Sequence, residues 1–304
     1  MNRLALACGC ALLASLATAA VPRKADPAEA IADRDEKLVA QEVDALPAQR
    51  PGVIDLYAIG VAGDGTEDVF RNEVEYFATL MRSRFNARGV VTLVSSPDSI
   101  GAKPQPLASY DNLYDAVTGV ARHMDRHEDI LLLYLTMHGT PEHELVLYDP
   151  PYVDDALLPE DLRFVLDKAG IRNRVIAISA CYSGGFIQQL RGDDALVMTA
   201  ARRDRTSFGC GADSTATFFA RAWMIEGLNR STDFTAAFHH AQSRIRDWER
   251  NVDFEPSHPQ ISQGKAIAKR LADWRTQVTP GAALAYPWPL RDLDAPQAEV
   301  RKQP

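Results

Sequence analysis

The 304-residue chain carries 33 Lys and Arg against 41 Asp and Glu, a formal net charge of −8. With 46% hydrophobic and 24% charged residues it has the make-up of an ordinary globular protein. No basic block offsets the acidity, which argues against a nucleic-acid partner.

The chain opens MNRLALACGCALLASLATAA, with Arg3 ahead of an uncharged apolar run and the small residues Ala17-Thr18-Ala19 at its end. That is the layout of a secretory signal peptide over residues 1–20, and the run is short of the roughly 20 residues a bilayer span needs. Rival readings are an N-terminal core helix, or a lipid anchor on Cys8 or Cys10, although neither cysteine ends a proper hydrophobic region. No other stretch suits a transmembrane segment, so a periplasmic or secreted protein is expected. Cleavage leaves about 280 residues, enough for one large domain or two small ones. It also leaves Cys181 and Cys210 as the remaining cysteines. In an oxidising compartment they suit a disulfide; the alternative is a free, reactive thiol at Cys181.

Residues 21–50 are rich in Ala and charge, with Ile31, Leu38, Val39, Val43 and Leu46 at helical spacing, so they read as an amphipathic helix or a loosely attached leader. Arg50-Pro51-Gly52 then punctuates the entry to a domain expected over residues 51–285. Within it, strands are predicted at 53–63, 89–96, 129–139, 174–180 and 194–201, with a short strand excursion at 143–153. Helices are predicted at 68–85, 107–124 and 154–170, and two more near 214–228 and 232–250. Residues 286–304, rich in Pro and charge, read as an irregular tail. Continuous apolar strands alternating with amphipathic helices imply an α/β fold with a mainly parallel sheet covered on both faces.

In an open parallel sheet, sites gather beyond the carboxyl ends of the strands. The strand at 129–139 ends in Thr136-Met137-His138-Gly139, and the strand at 174–180 leads into Cys181, followed by Gly184-Gly185. If the two strands are neighbours, His138 and Cys181 leave one sheet edge together. A thiol attacks only as thiolate, and a nearby imidazole is the usual means of making one near neutral pH. The backbone N–H groups of Gly139 and Cys181 would then hold an oxyanion. Taken singly, a Cys at a strand end is often structural and a lone His usually inert; both together, each near glycine, favour a Cys–His pair.

TMHG and ISACYSGGF resemble the legumain-type cysteine peptidases, relatives of the caspases, particularly their bacterial secreted members. The resemblance extends to YAIGVAGDGTEDVFRNEVEYF, MTAARRDRTSFGC and SHPQISQGKAIA, in order, over about residues 50–272. It implies a caspase-like three-layer α/β sandwich with a central, mainly parallel β-sheet flanked by helices. It also implies endopeptidase hydrolysis of a protein or peptide substrate through a thioester, with no metal or cofactor. By the same resemblance His138 is the general acid/base and Cys181 the nucleophile, while Arg71 and Ser207 match residues that line the pocket for the P1 side chain. Read alone, Arg71 is an ordinary surface charge in a helix's first turn.

Ser179 stands where legumains carry an acidic pocket residue, and another such residue is replaced near Phe218 and Phe219, so a strict Asn or Asp preference is not implied. No third residue to orient His138 is evident. Two other outcomes of the same scaffold stand beside hydrolysis: a transpeptidase or ligase that resolves the thioester with an amine, and a binding scaffold with little activity. His123 and His127 lie four apart, a metal pair only if a third ligand joins them. Gly63-Asp64-Gly65 lacks the Lys and Ser/Thr of a phosphate loop, and Ser183 lacks the leading Gly of a nucleophile elbow. The oligomeric state is not legible.

Overall fold

The structure, a computed structural model, describes residues 26–101, 103–211 and 213–294. The expected signal peptide and the last part of the expected tail lie outside the described residues. The chain begins with helix α1 (Pro27–Asp44), strand β1 (Leu56–Ala62), helix α2 (Asp68–Ser83), strand β2 (Gly89–Val94) and the single turn α3 (Pro97–Ile100). Helix α4 (Tyr110–His123), strands β3 (Ile130–Thr136), β4 (Leu145–Asp149) and β5 (Val153–Leu157), and helix α5 (Pro159–Ala169) follow. Strand β6 (Asn173–Ser179) leads through a 3-10 turn (Ser183–Phe186) and the short α6 (Ile187–Leu190) to β7 (Ala195–Thr199). A π-helix (Ala220–Leu228), helix α7 (Phe234–Val252), strand β8 (Gln260–Gln263) and helix α8 (Lys265–Gln277) complete the described chain.

The central sheet has six strands in the order β2-β1-β3-β6-β7-β8. All its pairings are parallel except the antiparallel β7–β8 edge. Both faces are buried, and the strands' period of two divides their side chains between two cores. Leu56, Ala58, Leu132, Tyr134, Val175 and Met198 join the core under α2, the π-helix, α7 and α8. Tyr57, Ile59, Leu131, Leu133, Ile176 and Val197 join the core under α1, α4 and α5. The result is a three-layer α/β sandwich, the fold class that the alternating pattern predicts. Trp223, Trp248 and Trp274 are fully buried in the first core, where each aromatic side chain contributes about 1.5–3 kcal/mol by leaving water.

Several elements differ from expectation. Residues 154–170 do not form one helix, because Val153–Leu157 pairs antiparallel with β4 in a separate two-stranded sheet. Val153 and Leu157 point inward while Asp154 and Asp155 face solvent, and the helix starts only at Pro159, where proline's missing N–H costs nothing. The expected helix at 214–228 is the shorter π-helix. Strand β8 and helix α8 were not anticipated. Residues 278–294 form neither helix nor strand, yet Leu293 is buried and Tyr286 and Trp288 pack on the core. Helix α1 docks on α4 with Val39 and Val43 buried. Its buried Asp35 accepts hydrogen bonds from the Leu107 N–H (2.9 Å) and from Asn112 Nδ2 (3.4 Å).

Candidate active site

Parallel pairing aligns Ala62 with Thr136 and Thr136 with Ser179 across β1, β3 and β6. Two residues beyond this row stand Asp64, His138 and Cys181, so the register alone delivers all three to one sheet edge. The strand ends meet closely: a Cβ on Gly139 would overlap the Cys181 carbonyl oxygen. Glycine there lets the backbone after His138 lie against Cys181. After Cys181 the chain turns sharply, with Tyr182 in the left-handed region (φ 54°) and its N–H donating to the Arg205 carbonyl at 2.7 Å.

The Cys181 residue is half-buried and Cys210 exposed; both thiols are free, so the two are not bridged. The Ser207 N–H donates to Cys181 Sγ at 3.3 Å and the Ser207 hydroxyl lies 3.7 Å from it, while the S–H faces the Ser207 carbonyl at 3.6 Å. Ser207 therefore stands at the thiol. Cys210 lies in the same loop, where burial, and after it the Glu67 carboxylate, pushes its thiol up to about 11.

The His138 ring packs against Phe70 in a T-shaped pair, 5.2 Å between centroids. Its Nε2 lies 3.2 Å from Glu67 Oε1 and 4.0 Å from Asp64 Oδ2. The second Glu67 oxygen accepts the Gly211 N–H at 2.7 Å. Sequence reasoning missed both carboxylates: GDGTED reads as a turn after a strand, and no spacing rule aims residues of that turn at a histidine on another strand. Among the described residues, His138 and Cys181 are not hydrogen-bonded to each other; each is held by other groups.

Ser179 is the last residue of β6. The residue is 2% exposed and its hydroxyl is paired with Thr217 Oγ1 at 2.9 Å, so it does not line an open pocket. Phe218 and Phe219, beside Thr217, are also buried. Arg71 lies in the first turn of α2, its guanidinium paired with Asp68 (3.1 Å) and Asp98 (3.2 Å), and no described contact links it to Cys181, His138 or Ser207. Beneath the site Glu73 is fully buried and accepts bonds of 2.6 Å from Tyr134, Thr136 and the Thr217 N–H. Burial pushes its carboxyl above the ordinary range, against the pull of those donors. His123 and His127 do not share a helix face, because α4 ends at His123 and the His127 N–H is bound by Asp125 in the turn beyond. Among the described residues, no group of three or more His, Cys, Asp or Glu is placed to hold a metal ion.

Beside the residues that follow Cys181 runs a groove of about 1080 Å³, lined in part by Glu142, His143, Gly184, Gly185 and Arg203. No described helix is long and apolar enough to cross a membrane.

The fold and the site together define an α/β protein with a cysteine and a histidine at adjoining ends of a parallel sheet. The Peptidase C13 family matches residues 110–269, just over half of the chain, and the protein belongs to that family, the legumain family. It is a cysteine peptidase. No curated protein matches the chain. Among solved structures, the crystal structure of caspase-1 from Spodoptera frugiperda is similar at 14% identity, over 71% of this chain and 92% of that one, with a TM-score of 0.46.

Proposed function

We propose that the protein is an exported endopeptidase in which Cys181 is the nucleophile and His138 the general acid and base. The observation that carries this reading is the pairing of Thr136 with Ser179, which sets His138 and Cys181 the same two residues beyond one row of the sheet. Ser207, with its N–H on Sγ, holds the sulfur in place. The sulfur attacks the scissile carbonyl and a C–S bond forms. The oxyanion rests on the N–H groups of Gly139 and Cys181, neither of which donates to a partner among the described residues. His138 passes a proton to the leaving amine as the C–N bond breaks. Water then attacks the thioester, His138 takes the water's proton, and the acid product leaves with the thiol restored.

The groove beside Gly184 and Gly185 suits an extended protein or peptide segment, and Ser207 stands where the P1 side chain would pass. Residues 1–20 serve as the export signal, and residues 51–285 form the catalytic unit behind a leader helix. The test is turnover of a fluorogenic peptide library varied at P1, by wild type, Cys181→Ala and His138→Ala. Loss of general acid–base catalysis costs about 10²–10⁴-fold, and loss of the nucleophile at least as much. Turnover retained by Cys181→Ala would overturn the assignment.

A further inference from the structure

We propose that Glu67 is a positioning residue of this site: it orients His138, holds the charge that forms on it, and ties it to the loop that grips the thiol. The inference rests on the Cys181–His138 reading above. Glu67 occupies the N-cap of α2 in extended conformation, yet its side chain makes no capping bond. An N-cap side chain ordinarily accepts from the first N–H groups of its helix. Here the carboxylate is turned elsewhere, with one oxygen 3.2 Å from His138 Nε2 and the other 2.7 Å from the Gly211 N.

Those two bonds complete a chain of contacts from the thiol to the imidazole. Cys181 Sγ is held by Ser207, the chain runs from Ser207 to Gly211, Gly211 binds Glu67, and Glu67 binds His138. The loop turns at Gly209 and Gly211, both with positive φ (95° and 117°), a conformation that glycine adopts without strain. Position of the thiol and orientation of the imidazole are thus set through one carboxylate.

The electrostatics point the same way. When Cys181 gives up its proton to His138, an imidazolium forms. The groups beside it are Glu67 from the α2 cap, Asp64 from the end of β1 and the ring of Phe70, while the Cys210 thiol interacts with Glu67 and Cys181. The two carboxylates have side chains only 21% and 6% exposed, so solvent screens them incompletely. A carboxylate only accepts hydrogen bonds, so Glu67 keeps the ring proton on Nε2 and leaves Nδ1 for the thiol and the leaving amine. The balance is simple: one proton moves from sulfur to nitrogen, and Glu67 stabilises the resulting pair without itself gaining or losing one.

The experiment compares wild type with Glu67→Gln, Glu67→Asp and Glu67→Ala. It reads alkylation of Cys181 by iodoacetamide against pH, followed by mass spectrometry, together with kcat, KM and melting temperature. Glu67→Gln retains an acceptor for the Gly211 N–H and loses the charge. It is expected to lower kcat about 10- to 100-fold with KM little changed, the scale of one charge-assisted hydrogen bond. Its alkylation profile should move to higher pH. Glu67→Asp keeps the charge and should keep the profile, while Glu67→Ala breaks the chain of contacts and should also raise KM. A purely structural Glu67 would change melting and leave the alkylation profile where it was. Wild-type kcat and an unmoved profile in Glu67→Gln would overturn the proposal. Activity retained by Cys181→Ala would instead overturn the dyad itself, and the alkylation profile needs no peptide substrate, so the two failures are distinguishable.

Discussion

Replacing Glu73 separates the effect of its charge from the effect of its hydrogen bonds. In Glu73→Ala the Thr217 N–H and the Tyr134 and Thr136 hydroxyls lose their shared acceptor. A stranded buried donor costs about 1–3 kcal/mol, and the vacated volume adds a cavity term. The hydroxyls can rotate to other partners and the amide cannot, so the expected loss is about 3–6 kcal/mol. Glu73→Gln fills the same space: its carbonyl accepts from Thr217 while the two hydroxyls turn to accept from its NH₂, and stability near pH 7 should stay within about 1 kcal/mol of wild type. The pH dependence then gives the sign. Because burial raises the Glu73 carboxyl above its ordinary 4.5, the folded protein holds a proton that the unfolded chain releases. Its stabilising contribution is complete below that ordinary value and is lost as pH rises through the raised one, at about 1.4 kcal/mol per unit of separation. Glutamine does not titrate, so the difference between the wild-type and Glu73→Gln stability curves should slope across that window. Urea unfolding between pH 4 and 9, followed by tryptophan fluorescence, measures it. A flat difference curve would mean that burial does not raise the Glu73 carboxyl, and Glu73→Ala as stable as Glu73→Gln would mean that its hydrogen bonds do not hold the core.

Gly139→Ala should drive a methyl into the Cys181 carbonyl, costing about 1–3 kcal/mol of stability and a larger share of kcat/KM; full activity with unchanged melting would show that the strand ends are not in contact. Thiol titration at pH 8 should find both cysteines free, with Cys181 reacting well ahead of Cys210, whose thiol is pushed up to about 11; the reverse order would contradict the site's electrostatics. Asp35→Ala should strand the partners of a carboxylate whose side chain is only 2% exposed, Arg34 among them. Breaking such a buried pair costs about 3–5 kcal/mol, and trypsin should then cut within α1, whereas wild-type resistance in the variant would mean that Asp35 does not hold the helix.

The parts of the fold legible in the sequence are those whose physics is local. Leu56–Ala62, Ile130–Thr136 and Asn173–Ser179 are apolar runs bounded by turns, and their ends carry His138 and Cys181 directly. Strand β5 was hidden because Asp154-Asp155 and the approach to Pro159 look like a helix's acidic first turn. Strand β8, Gln260–Gln263, is a short polar edge with no alternation to detect. The partner of Ser179 was not legible either: its hydroxyl pairs with Thr217 Oγ1, 38 positions away. Glu67 was invisible for a different reason. Its contact with His138 spans 71 positions and depends on the turn after β1 folding over the edge of the sheet, which no local pattern encodes.

The most direct test of the central claim is covalent labelling of the purified protein, under reducing conditions, with a peptidyl acyloxymethyl ketone, followed by peptide mapping. One modified residue is expected, Cys181, with labelling abolished in Cys181→Ala and slowed in His138→Ala. Adduct on Cys210 instead, or no adduct with any P1 side chain, would contradict it.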